Sequence, residues 1–221
     1  MVLVGLLVGL GACTKAKNNT APLPAGDELL RGAAAEMRNV KTAHFLVEVE
    51  GSVAGLAFRR ADGVLTREGD AKGTVQTGQA GSTLELSFVI VGGKLYVKGP
   101  TGGYQQLPLA LATGVYDPSV ILNPDKGVAK LLETAQGART EARETVGGKD
   151  TYRVAAKPDI AVLGPLLPGV TGDVTAQLWI GVDRKVVHKA KFAVPGQQGS
   201  AAGAVTVTLS DFDAPVTISA P

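Results

Sequence analysis

The sequence predicts an α+β fold in which helices are grouped against an antiparallel sheet. Apolar and polar residues alternate over long stretches, as they do in half-buried strands, and a helical period interrupts them in only three places. The composition, with 29 glycines, 5% aromatic residues and many Val, Leu, Thr and Ala, favours strands and turns over a helical bundle. Successive short strands joined by turns are typical of antiparallel pairing.

An amphipathic helix is predicted first, over residues 27–41. Asp27 can accept hydrogen bonds from the free amides of the first turn, and Glu28 favours the positive end of the helix dipole. One face of this helix is apolar, and we expect it to pack on the sheet. The residues on that face are Leu29, Leu30, Ala33, Ala34, Met37 and Val40.

A series of strands follows in the first half of the chain. Turns are predicted at residues 51–55, at 61–63, where the sequence is Ala-Asp-Gly, and at 92–93, where Gly-Gly closes a hairpin. The strands predicted between these turns cover residues 44–49, 56–60, 64–67, 73–76, 82–91 and 94–98.

Two short helices are predicted where the alternation breaks, between residues 116 and 132. Asp117 precedes Pro118 and Asn123 precedes Pro124, and a capping side chain directly before a proline is typical of a helix start. The rest of the chain predicts strands at 142–146 and 151–155, a helix at 158–167, and strands at 174–180, 186–194 and 205–209.

The N-terminal segment predicts export and lipid attachment. Residues 2–12 are apolar and uncharged, a run too short to span a bilayer but as long as the apolar part of a signal peptide. They lead into Leu10-Gly11-Ala12-Cys13, which resembles the lipobox of bacterial lipoproteins, where the thiol is acylated and the preceding peptide is removed. The basic region that normally comes before such a run is missing, so we expect the natural start to lie upstream of Met1.

Lipid on Cys13 would place the protein in the cell envelope, anchored to the outer face of the plasma membrane. Two or more acyl chains make a stable anchor, whereas one chain binds only marginally. We therefore predict a signal peptide at residues 1–12, a lipidated N-terminus with a flexible tether at 13–26, and a single domain at 27–221.

The sequence offers few residues for catalysis or metal binding. His44 and His188 are the only histidines, and each lies at an alternating position of a predicted strand, where a hydrogen-bonded surface histidine is expected. No Gly-x-Ser-x-Gly or Gly-x-Gly-x-x-Gly motif occurs, and the interspersed charges, +2 in total, argue against a nucleic-acid partner. We predict that the protein is not an enzyme and uses no cofactor or metal. An enzyme that acts on lipid or glycan is the weakest alternative, and titratable groups converging in one pocket would support that alternative.

Several segments resemble the actinobacterial LppX/LprA/LprF/LprG lipoprotein family, and its LprG members most. They are the run Tyr-Asp-Pro-Ser-x-Ile-Leu-x-Pro-x-x-Gly-x-x-x-Leu-Leu at 116–132, the lipobox, and residues 41–44 and 61–66. The resemblance implies a strongly curved antiparallel half-barrel with helices on its concave face around an apolar cavity. It further implies a carrier that binds acylated lipids (triacylglycerol, phospholipid or lipoglycan), moves them from the plasma membrane toward the outer envelope, and has a major-facilitator efflux transporter as its partner.

The same resemblance implies residues for the lipid cavity. The family's cavity-entry valine lies in a Gly-x-Val pattern shortly before the clearest strand, and Gly73-Thr74-Val75 matches it, so Val75 is the entry candidate. The sheet side would come from one face of the strand at 82–91 or from its opposite face, and the helix side from the apolar residues of the mid-chain helices. These candidates are Leu84, Leu86, Phe88, Ile90, Val120, Ile121, Leu131 and Leu132.

Two functions remain open at this stage. An acyl chain of about sixteen carbons costs about 12 kcal/mol to hold in water, at about 0.8 kcal/mol for each methylene, so a carrier must enclose it. The small and medium aliphatic residues of this chain suit a wall around such a cavity, and they equally suit a filled core. The alternative is a structural or signalling lipoprotein with a filled core, which would bind a protein partner through an exposed apolar patch.

Overall fold

Eleven strands form one open antiparallel sheet. The computed structural model describes residues 22–79, 82–108, 117–196 and 202–221. The strands within these ranges are β1 Thr42–Glu50, β2 Arg60–Thr66, β3 Ala71–Gln79, β4 Ser82–Val91, β5 Lys94–Lys98, β6 Gln105–Pro108, β7 Gln136–Val146, β8 Lys149–Lys157, β9 Thr175–Gly181, β10 Val187–Val194 and β11 Gly203–Ser210. The helices are α1 Gly26–Met37, α2 Val128–Thr134, α3 Ile160–Leu166 and a single 3₁₀ turn at Pro118–Val120.

The sheet consists of two meanders that meet at its centre. Strands β1 to β6 follow one another on one side, β7 to β11 do so on the other, and β1 pairs with β11 to join them. Strands β6 and β7 are the two edges, so the sheet is an unclosed half-barrel with the helices on its concave face. The predicted α+β fold is confirmed.

The core lies between the concave face and the helices. Along β1, half-buried residues alternate with the buried side chains of Ala43, Phe45, Val47 and Val49, because alternate residues of a strand point to opposite faces. Helix α1 covers this face with its predicted apolar side, and the Met37 sulfur accepts a hydrogen bond from a buried backbone amide of β10 at 3.5 Å.

Helix α1 differs from its prediction at both ends. It begins at Gly26 and ends at Met37, and its N-cap residue, Ala25, makes no side-chain capping bond, so the capping role predicted for Asp27 is wrong. The start is fixed by packing instead, since a Cβ on Gly26 would lie 2.6 Å from the carbonyl carbon of Ala138 in the edge strand β7.

The predicted strand at 56–60 and turn at 61–63 are also wrong, because β2 runs without interruption from Arg60 to Thr66. Ala61 and Gly63 pair with β1 on one side and β3 on the other. Gly63 is there for a close approach between strands and not for a turn, since a Cβ on it would lie 2.2 Å from the carbonyl oxygen of Lys72. No strand was predicted over residues 105–108, where β6 lies.

The two capping signals in the middle of the chain have different outcomes. Asp117 caps the 3₁₀ turn, as predicted, by accepting a hydrogen bond from the Ser119 amide at 3.0 Å. Asn123 accepts from two amides of the next residues but holds only a turn, and α2 begins later, at Val128. In α3 the cap is Asp159, which accepts from the backbone amide of the second helical residue at 2.9 Å.

Asp213 fastens the C-terminal turn to the start of β1. One carboxylate oxygen accepts a hydrogen bond from the Lys41 amide at 2.7 Å, and the other lies 2.8 Å from Arg184 Nη2. Slight burial raises the pKa of Asp213, but the Lys41 amide and the Arg184 guanidinium outweigh it and hold this pKa below its ordinary value. The carboxylate therefore stabilises the fold above its unfolded-state pKa, and this contribution is lost as the pH falls through the lower folded-state pKa.

We expect Asp213→Asn to lower the free energy of unfolding by about 1 kcal/mol near neutral pH, since the pair is partly exposed. Asparagine also tolerates the left-handed backbone of this residue, whose φ is 62°. Urea unfolding at several pH values would measure the effect. The difference between the two proteins should shrink as the pH falls from the ordinary pKa of an aspartate, about 3.9, through the lower folded-state pKa, and a difference independent of pH would contradict the assignment.

Candidate functional site

An apolar cavity of about 140 Å³ lies under strands β2 to β5. We call it the strand cavity. Thr77 is the single polar residue among those that line it. The lining residues are Ala57, Phe58, Ala61, Val75, Thr77, Leu86, Phe88, Ile90, Leu95, Val97 and Pro118.

Strand register brings most of these residues onto one face. Ala61 pairs with Val75, and Val75 pairs with Leu86, so the three side chains form a row across β2, β3 and β4. The neighbouring rows continue into β5 through the pairs Phe88 with Val97 and Ile90 with Leu95. Phe58, from the connection between β1 and β2, and Pro118, from the 3₁₀ turn, complete the enclosure from outside the strands.

A second apolar cavity lies under the helices and has a volume of about 20 Å³. We call it the helix cavity. At this volume the cavity has room for about one water molecule and none for a hydrocarbon chain. The lining residues are Ile121, Val128, Leu131, Leu166, Leu167, Leu178, Val187, Ala190, Phe192, Val207 and Leu209.

The predicted cavity residues divide between these two places. Four of them line the strand cavity, and they are Val75, Leu86, Phe88 and Ile90. Ile121 and Leu131 line the helix cavity instead. Leu132 is buried in the core, Val120 packs half-buried against it, and Leu84 is 37% exposed. The contact of each with a ligand stays a prediction.

Sequence reasoning missed seven residues of the strand cavity. Leu95 and Val97 could have been found, because they share one face of a strand that was predicted. Pro118 lies in the motif that carried the family resemblance. Ala57 and Phe58 lie in the connection where a strand was wrongly predicted, and the remaining two are Ala61 and Thr77.

A polar cleft of about 490 Å³ lies beside the β7–β8 and β9–β10 turns. His188 is half-buried there, edge-on to Phe212 at 5.4 Å between ring centroids, and burial, helped by the positive charge of Lys149, lowers its pKa. Two other charged groups of the cleft are held in ion pairs: Asp150 lies 2.7 Å from Arg143, and Arg184 pairs with Asp213. The cleft brings titratable groups together, but these pairs tie its turns to neighbouring elements.

The other histidine lies on the opposite face of the sheet from the core. His44 Nε2 is 2.9 Å from Asp62 Oδ1, and both side chains are about one-third exposed. This is the hydrogen-bonded surface histidine that the strand pattern predicts. Among the residues that the structure describes, no group of three His, Cys, Asp or Glu side chains is placed to hold a metal ion.

Cys13 lies outside the described residues, so its acylation stays a prediction. In the described part of the chain, none of the helices combines the length and the apolar character that crossing a membrane requires.

The profile of the LppX_LprAFG lipoprotein family matches residues 25–218. The lipoarabinomannan carrier protein LprG of Mycolicibacterium smegmatis is 31% identical over 217 residues, which cover 96% of this chain and 89% of that protein. The protein of the same name in Mycobacterium tuberculosis is 30% identical over 182 residues, which cover 81% of this chain and 76% of that protein.

Two crystal structures share the fold. LprF from Mycobacterium bovis superposes with a TM-score of 0.75 at 24% identity, covering 90% of this chain and 98% of that one. Lipoprotein LppX from Mycobacterium tuberculosis superposes with a TM-score of 0.67 at 19% identity, covering 87% of this chain and 97% of that one. Both relatives in the preceding comparison are named carriers and not enzymes, in agreement with the prediction that this protein is not an enzyme. The chain belongs to the LppX_LprAFG lipoprotein family.

Proposed function

We propose that this lipoprotein carries acylated lipids in the cell envelope and shelters their acyl chains in the strand cavity. The observation that carries the proposal is the strand cavity itself, because ten of its eleven lining residues are apolar. The LprG relatives, which are named lipoarabinomannan carriers, support the same function, since that ligand joins acyl chains to a glycan.

Loading requires the strand cavity to widen. Its 140 Å³ is below the roughly 300–1,000 Å³ of typical ligand pockets. The strand walls are held by ladder hydrogen bonds, whereas Phe58 and Pro118 belong to non-strand segments. On this proposal the acyl chain displaces these two side chains and lies along the sheet.

The finer parts of the proposal concern ligand and location. The ligand is a diacyl or triacyl lipid (a lipoglycan, a phospholipid or triacylglycerol), and the relatives' name favours the lipoglycan. Acylated Cys13 holds the single domain of residues 27–221 at the outer face of the plasma membrane. The lipid moves from there toward the outer envelope, and a major-facilitator efflux transporter is the partner.

The filled-core lipoprotein remains the second candidate, and one observation favours it. The helix cavity, at about 20 Å³, has no room for a hydrocarbon chain, so the interior beneath the helices is close to filled. This candidate predicts that no lipid can be extracted from the protein.

The full chain carrying Cys13→Ala separates the two candidates, because this variant has no covalent lipid of its own. We expect an organic extract of the purified variant to contain acylated lipid at close to one molecule per protein, measured by mass spectrometry. An extract without lipid, together with no uptake of a labelled diacyl lipid by the same variant, would favour the filled core.

A further inference from the structure

The two apolar cavities share no lining residue, and strand β1 runs between them. The strand cavity reaches β2 through Ala61, and the helix cavity reaches β11 through Val207 and Leu209. Strand β1 pairs with both β2 and β11, yet none of its residues lines either cavity. The side chains on the concave face of β1 therefore form a wall that separates the two cavities on the sheet side.

Phe45 is the largest side chain in this wall and is fully buried. On one side it pairs with Leu209 of the helix cavity. On the other side it pairs with Gly63, which pairs with Gly73, which in turn pairs with Phe88 of the strand cavity. Two glycines without side chains thus separate the Phe45 ring from the lining of the strand cavity.

The 3₁₀ turn continues the wall on the helix side. Pro118, at its start, lines the strand cavity, and Ile121, directly after its end, lines the helix cavity. The turn packs on β2 and on α3, so it lies on the concave face between the two cavities.

We propose that Phe45 is the stop that ends the strand cavity and so limits the length of the acyl chain that the protein shelters. The proposal rests on the proposed function and adds a specificity-determining residue to it. A chain that extends past Phe88 toward β1 would cross Gly73 and Gly63, which carry no side chains, before it meets the Phe45 ring. Methylenes beyond that point stay in water and add nothing to the affinity.

Variants Phe45→Ala and Phe45→Leu, made in the full chain carrying Cys13→Ala, test the stop. The probe is a series of saturated diacyl phosphatidylglycerols with stepwise longer chains, and native mass spectrometry gives the affinity. For the protein with Phe45, affinity should rise about four-fold for each sheltered methylene and then level off. In Phe45→Ala the plateau should begin at longer chains. Phe45→Leu should shift the plateau less, and because it keeps a buried aliphatic side chain it serves as the test if the alanine variant does not fold.

Phe192→Ala is the matched control, because it removes the same ring from the helix cavity without opening the wall. We expect the affinity of Phe192→Ala to level off at the same chain length as that of the parent Cys13→Ala protein. An equal shift in Phe192→Ala, or no shift in folded Phe45→Leu and Phe45→Ala, would overturn the stop and leave the carrier function standing. If the parent protein binds no phosphatidylglycerol of any length and yields no extractable lipid, the proposed function itself fails.

Discussion

Replacing Gly73 with valine is expected to lower the free energy of unfolding by about 3 kcal/mol, the upper part of the range for overpacked sites. Gly73 pairs with Gly63 in the middle of the β2–β3 ladder. A Cβ at Gly73 would lie 2.1 Å from the carbonyl oxygen of Asp62 and 2.8 Å from the Gly63 Cα. Both are backbone atoms, which cannot rotate away, so the two strands must separate and weaken the hydrogen bonds beside them.

Gly78 provides the matched control, because it lies in the same strand with nothing closer to its Cβ position than an Arg59 side-chain nitrogen at 4.0 Å. Gly78→Ala should be neutral or stabilise the fold by about 0.4–1 kcal/mol, since it restricts the unfolded chain without a clash. Urea unfolding followed by the fluorescence of Trp179, the one tryptophan of the chain, measures both variants. Equal stability of Gly73→Val and Gly78→Ala would mean that the β2–β3 register is not the one described.

Alternation predicted most of the sheet because each strand buries one face only. Strand β1 shows this well, with four buried side chains at every second residue. The same reasoning failed at Ala61 to Gly63, where an Asp-Gly pair typical of a turn stands in β2. The missing side chain of Gly63 serves the close packing of β2 against β3, and this requirement depends on the register between the two strands, which alternation does not reveal.

The candidate site could be predicted in part for the same reason. Once a strand is recognised, its concave face follows, and β4 supplied three lining residues of the strand cavity in this way. The sequence gives no indication that the helix side belongs to a different cavity. Phe45 has the pattern of any core residue, and only the register with Leu209 and Gly63 places it on the strand between the two cavities.

Val75→Trp should reduce the lipid bound to the Cys13→Ala protein by at least about tenfold. Val75 is half-buried at the centre of the row formed with Ala61 and Leu86, and it faces the strand cavity. An indole at this position fills much of the 140 Å³ that an acyl chain would enter. Excluding only two methylenes already costs about 1.6 kcal/mol, which is more than a tenfold loss in affinity.

The substitution should leave the fold intact, because the larger side chain enters existing space and displaces little of the packed core. Thr74→Trp is the matched control, since Thr74 is the neighbouring residue of β3 and faces the other side of the sheet. Lipid per protein, measured by mass spectrometry of organic extracts, should fall in Val75→Trp and stay unchanged in Thr74→Trp, with similar urea midpoints. If both variants retain the full amount of lipid, the acyl chains lie elsewhere and the strand cavity is only a packing gap.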